Sequence, residues 1–161
     1  MTEITIESFM GRWYQMFSSL IPASTYEKDL VCVGADYTIV NSTLFQVNNF
    51  GLYKSPSGPK KSMTGEANLM DESEPGKWQI TLEGTSNTGE FWITHLGPLR
   101  NNFYDYCIIS DSKGLNMFVL SRDPSYFKEN YNDEILVILR GDGFTGISAP
   151  VISYQSPSCE Y

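Results

Sequence analysis

A chain of 161 residues, 41% hydrophobic and 14% aromatic with 13 Gly and 8 Pro, can fill one turn-rich domain with a real core and is not a disordered segment. Its net charge of −8, with only 11 Lys and Arg, offers no basic stripe for phosphate backbones or anionic membranes. No run reaches the roughly 18 apolar residues of a membrane span, so nucleic-acid partners and an integral span are set aside.

The first stretch, "SFMGRWYQMFSSL", does not keep its apolar residues on one helical face. As a strand, it puts Trp13, Gln15 and Phe17 on one side and Tyr14, Met16 and Ser18 on the other, with Gly11 as a bend before it. "LVCVGADYTIV" alternates next, with Val31, Val33, Ala35, Tyr37 and Ile39 opposite Cys32, Gly34, Asp36 and Thr38. Asn41-Ser42 turns the chain into "TLFQVNNFGLY", and Asn41-Ser42-Thr43 is a glycosylation acceptor in a secreted chain. After the loop "KSPSGPK" come "SMTGEANLM", the turn "DESEPG", "KWQITLEG", "GEFWITHL", "NNFYDYCIIS", the turn "DSKG" and "LNMFVLS". These are eight strands in series, the pattern of an antiparallel sandwich or barrel.

From Asp123-Pro124 the period changes. Phe127, Tyr131, Ile135 and Leu139 recur every four residues, predicting a helix over about 124–140 with Asp123 as cap and Gly141 at its end. A last short strand and tail follow over about 146–161. The expected fold is all-β: one domain over 1–161, with an eight-stranded antiparallel up-and-down barrel over about 11–121, one helix packed outside, and a short final strand. Such a barrel is wide enough to be filled by side chains or to hold one small ligand.

Three blocks carry a resemblance. Gly11-Arg12-Trp13-Tyr14, the Cys-then-Ala-x-aromatic pattern of "LVCVGADY", and "FVLSRDP" leading into a helix resemble the lipocalin family, in its apolipoprotein D and bacterial lipocalin branch. The family's Thr-Asp-Tyr block is replaced by Asn101-Asn102-Phe103, and "HLGPLRNN" is longer than usual. The resemblance implies that Gly11, Trp13 and Arg122 are structural, with the Arg122 guanidinium lying across Trp13 at a plugged barrel end, a contact of roughly 0.5–2 kcal/mol. It also pairs Cys32 with Cys159, which implies an oxidising compartment. Cys107 is then the leftover thiol. "MTEITIESF" has no signal-peptide character, so secretion is expected on the footing that a signal peptide has been removed.

Strand parity gives an inward set for a ligand: Val31, Ala35, Tyr37, Phe45, Val47, Asn49, Trp78, Ile80, Leu82, Asn116 and Phe118, with Met63 or Met70 as a further contributor. On the seventh strand, Tyr104/Tyr106/Ile108 and Cys107/Ile109 are equally plausible inward sets. This lining suits a small apolar ligand with one polar end, such as a fatty acid, sterol, retinoid or other isoprenoid. Arg100, Lys54, Lys60 and Lys61 are candidate partners for an anionic head group in mouth-side loops, and Phe50, Leu52 and Tyr53 candidates for an apolar entrance or a dimer contact. Three cysteines and the single His95 fit no metal spacing, and no nucleophile elbow or phosphate loop is visible, so neither a cofactor nor an enzyme is expected. The expectation is a carrier or scavenger, monomeric or weakly dimeric. Its alternatives are a protein-interaction module with a filled barrel and a Cys107-dependent lipid isomerase.

Overall fold

A computed structural model describes residues 3–84 and 88–161. The period-two stretches become strands of one antiparallel sheet: β1 (Gly11–Ser18), β2 (Leu30–Asn41), β3 (Leu44–Tyr53), β4 (Lys60–Leu69), β5 (Lys77–Leu82) and β6 (Thr88–Leu96). A two-stranded hairpin, β7 (Leu99–Arg100) and β8 (Phe103–Tyr104), then precedes β9 (Tyr106–Ser110) and β10 (Met117–Ser121). The sheet runs β10-β9-β6-β5-β4-β3-β2-β1, and β10 also pairs with β1, so eight strands close into a barrel with no free edge between them. The β7–β8 hairpin holds the segment that departs from the lipocalin pattern. Its two-residue turn places Asn101 and Asn102 at φ 53° and 68°, a conformation that asparagine tolerates and tight hairpins require.

Short helices flank the first strand, α1 (Ile6–Phe9) before it and α2 (Leu20–Ser24) after it. Four or five residues are too few to show a helical period. The expected helix over 124–140 is two helices, α3 (Pro124–Asn130) and α4 (Asn132–Gly141), broken at Tyr131 with φ −122°. Tyr131 leaves the helical path, and its hydroxyl donates to Asp105 Oδ2 at 2.8 Å. The face of spacing four is otherwise as read: Phe127, Ile135 and Leu139 bury against Met16, Phe17, Tyr106, Ile108, Met117 and Val119 on the outer wall. Cys107 and Ile109 belong to the core inside the barrel, which settles the orientation of the seventh barrel strand.

The last strand, β11 (Val151–Ile152), fills a seam in the wall. β1 and β2 pair only from Gly11↔Tyr37 to Tyr14↔Gly34, and beyond that β1 pairs with β11 instead. The Cys32 amide donates to the Tyr154 carbonyl at 3.0 Å. The Gln155 side-chain amide donates to the carbonyls of Gln15 at 3.0 Å and Val33 at 2.7 Å. The Cys32–Cys159 disulfide fastens the tail to β2. At this point β2 carries a bulge between Val31 and Gly34, with Cys32 at φ 56°. The bulge shifts the side-chain parity. A Cβ at Gly51, in the inward set of β3, would meet Val33 and Leu30, whereas Val31 sits opposite Leu52 in the outward set. Val31 therefore leaves the expected lining.

Candidate functional site

The barrel has two different ends. At the start of β1, Trp13 is fully buried and its indole N–H donates to the Phe9 carbonyl at 2.8 Å. The Arg122 guanidinium lies 3.6 Å from the Trp13 ring. Its nitrogens donate to the carbonyls of Tyr104 at 3.1 Å, Arg12 at 2.9 Å and Ser8 at 3.1 Å. Burial holds its pKa down, at about 10. Gly11, at φ 95°, brings the backbone within reach of this guanidinium, and a Cβ there would stand 3.4 Å from Nη1. Gly11, Trp13 and Arg122 thus join the first strand, the last barrel strand and the plugging helix.

Above Trp13, aromatic rings fill the closed half. Phe9 of α1 enters the barrel and stacks on Tyr37 at 5.5 Å between ring centroids. Tyr37 meets Phe45 at 5.3 Å, Phe45 meets Trp78 at 4.8 Å, and Phe91 meets Tyr37 at 5.8 Å. Phe9 and Phe91 were not among the residues expected to face the cavity, because a four-residue helix and the Phe91-Trp92 pair give no decisive parity. Ala35, Tyr37, Phe45, Val47 and Trp78 do face inward, but all are buried within this plug. The indole N–H of Trp78 is satisfied by the Pro75 carbonyl at 2.9 Å.

Toward the other end the inward residues are no longer sealed. Asn49 pairs with Met63 across β3 and β4, while Leu82 and Ile80 pair with Gly65 and Ala67 across β4 and β5. Asn49, Ile80, Leu82 and Phe118 are half-buried, and Met63 is 48% exposed. Ile80 and Phe118 also pack against the interior core. These inward side chains keep some contact with solvent above the filled floor, whereas the clefts lined by Met10, Arg100 and Phe103 and by Glu74, Trp92 and Thr94 lie elsewhere, at the closed end and on the outer wall. Met70 is at the far end, just past β4, and Asn116 donates to Asp111 Oδ2 at 2.8 Å from the β9–β10 turn instead of lying in a strand.

The mouth also carries a polar group that the sequence reading did not select. Gln15 faces inward by its pairing with Leu120 and is 4% exposed. Its amide nitrogen donates to Glu27 Oε1 at 2.8 Å and to Ser153 Oγ at 2.9 Å. Burial pushes the Glu27 carboxyl up, with the Gln15 hydrogen bond opposing it.

Other expected features fall elsewhere. Arg100 is not in a mouth-side loop; it is at the closed end, 3.2 Å from Asp105 and stacked on Tyr126. Phe50 and Leu52 are only 2% and 1% exposed, so they form no entrance. Phe50 lies across Gly34, where a Cβ would stand 2.6 Å from its ring, under Arg12, Lys60 and Tyr161. Tyr53 stays exposed, with the Lys54 and Lys61 ammoniums over its ring. Asn41 is exposed in the β2–β3 turn, with its Oδ1 accepting from the Thr43 amide at 2.9 Å. Cys107 is buried inside the barrel, and burial raises its pKa and keeps the thiol protonated. His95 turns outward to Asp142 Oδ2 at 2.6 Å, so thiol and imidazole lie on opposite sides of the wall.

The lipocalin-like domain family matches residues 4–147. The chain belongs to the lipocalin family. Mouse apolipoprotein D is 29% identical over 104 residues, covering 65% of this chain and 49% of the relative, so the chain spans about half the length of the curated relatives it matches. Insecticyanin from the tobacco hornworm Manduca sexta superposes with a TM-score of 0.71 at 15% identity, covering 99% of this chain and 86% of that one. Lobster apocrustacyanin A1 gives a TM-score of 0.65 at 18% identity, covering 98% and 83%. The lipocalin fold, read from the Gly-x-Trp block, the Arg122 block and the strand series, is the fold observed.

Proposed function

We propose that the protein binds a small apolar molecule in the open half of its barrel, as an extracellular carrier or scavenger and not an enzyme. What carries this reading is the set of half-buried inward residues Ile80, Leu82, Phe118 and Asn49 over a buried aromatic floor, which we read as the wall of a cup open at the mouth. Membership of the lipocalin family, and a relative named as an apolipoprotein, support it. The Cys32–Cys159 disulfide fits an oxidising, extracellular setting. Because the aromatic plug occupies the closed half, the ligand rests on the floor and does not thread the barrel. Burying about 300 Å² of apolar ligand surface supplies roughly 7–8 kcal/mol gross. Association costs come off this sum, so the affinity is weaker than the micromolar value to which about −8 kcal/mol corresponds.

The touching rings of Phe9, Tyr37, Phe45, Trp78 and Phe91 favour a second reading, a filled barrel that acts as a protein-interaction module. Titration with the neutral fluorophore N-phenyl-1-naphthylamine separates the two. A cup gives saturable, blue-shifted emission that weakens about tenfold in Phe118→Ala, since one ring wall is lost. No saturable signal with any neutral apolar probe would reject the cup in favour of the filled barrel.

A further inference from the structure

We infer that Glu27 is a polar anchor at the mouth, selecting ligands that carry a primary ammonium on an apolar body. The inference rests on the cup proposed above and names the chemistry of its polar end. Glu27 belongs to the β1–β2 loop, whose backbone is pinned. The Glu27 amide donates to the Pro22 carbonyl at 3.0 Å, the Leu30 amide to the Glu27 carbonyl at 3.0 Å, and the Lys54 amide to the Asp29 carbonyl at 2.7 Å. The side chain is held as well. Gln15, buried on the inner wall, commits its amide nitrogen to Glu27 Oε1 and Ser153 Oγ, so the carboxylate is tied to an inward-facing side chain of β1 before any ligand arrives.

Among the described residues no Lys, Arg or His forms an ion pair with Glu27; of the other carboxylates that are not exposed, Asp36 and Asp105 have one and Asp111 accepts from the backbone amides of Leu115 and Asn116. A loop tether alone needs only a neutral acceptor, and a glutamine would provide it without the cost of desolvating a charge. A half-buried carboxylate with no counter-ion suits a site completed by a cation. An ammonium at Glu27 would leave its alkyl or aryl body over Phe118, Ile80 and Leu82. The net charge of −8 draws cations to the molecule and disfavours carboxylate head groups near Glu27.

Calorimetric titration of the whole protein with octylamine, 1-octanol and octanoate tests the assignment, because the three share one apolar body. The anchor predicts that octylamine binds about tenfold or more tightly than 1-octanol, from one charge-assisted hydrogen bond, and that octanoate binds weakest. Glu27→Gln keeps the acceptor for Gln15 and removes the amine preference, bringing octylamine to within about twofold of 1-octanol. Glu27→Lys reverses the order toward octanoate, which a merely structural residue would not do. Equal binding of all three by the native protein, with Glu27→Gln unaltered, overturns the anchor while leaving the cup intact. If none of the three binds, and N-phenyl-1-naphthylamine also fails, cup and anchor fall together.

Discussion

Arg122→Ala should destabilise the protein by about 3–4 kcal/mol without changing its fold. Three hydrogen bonds run from one charged donor to backbone carbonyls on three separate segments, at 2.9–3.1 Å. Each contributes about 1 kcal/mol net, and the stack on Trp13, at 3.6 Å, adds about 1 more. The cost of burying the guanidinium, visible as its lowered pKa, offsets part of this sum. The carbonyls of Ser8, Arg12 and Tyr104 are left without the donor, which keeps the loss large. For a domain of this length each kcal/mol shifts the midpoint by about 2–4 °C, so scanning calorimetry should show Tm lower by about 10 °C. Arg122→Lys keeps the charge but cannot reach three carbonyls at once, so it should lose at least half as much. A change within about 2 °C for Arg122→Ala would refute the view that this residue joins the plug to the wall.

Three further outcomes are expected. Replacing both Cys32 and Cys159 with Ser removes a bridge between residues 127 apart in sequence, which should cost about 4 kcal/mol and speed amide exchange over Val151–Gln155. Unchanged exchange there would mean that the tail holds the seam unaided. Glu27 keeps its proton in the folded state at pH values where the unfolded chain has lost it. Its contribution to stability therefore falls as pH rises through that window, and the advantage of Glu27→Gln over the native protein should grow as pH rises above about 4, where the unfolded carboxyl begins to ionise. A flat difference across that range contradicts the burial of this carboxylate. Cys107 should resist a water-soluble disulfide reagent in the native state and react once the protein unfolds; rapid native labelling would revive the isomerase alternative.

Much of the fold was legible because it depends on local alternation. β3 and β5 follow their period-two patterns, so Phe45, Val47, Trp78 and Ile80 point as read, and Phe118 on β10 does too. What was missed depends on contacts between distant segments. Val31 was misplaced because the bulge at Cys32 comes with a positive φ and a tail that enters the seam from more than a hundred residues away. Phe50 and Leu52 look exposed in a hairpin sequence, and only tertiary contacts, the tail's Tyr161 among them, show why Phe50 is buried. The helix break at Tyr131 has no glycine or proline to mark it; the side chain leaves the helix to reach Asp105. Glu27 was invisible because a carboxylate in a loop reads as solvated until Gln15 is seen to hold it. The lining itself was half legible: parity placed Ala35, Tyr37, Phe45, Val47 and Trp78 inward but misplaced Val31 and Asn116, and it did not show which residues the plug from Phe9 would seal.

The most direct test of the central claim is native mass spectrometry of the protein purified from its natural source, followed by organic extraction of whatever remains bound. The cup predicts one small apolar molecule per chain, lost on denaturation. A protein that arrives empty, and that takes up no neutral apolar probe on titration, would contradict the account and leave the filled barrel as an interaction module.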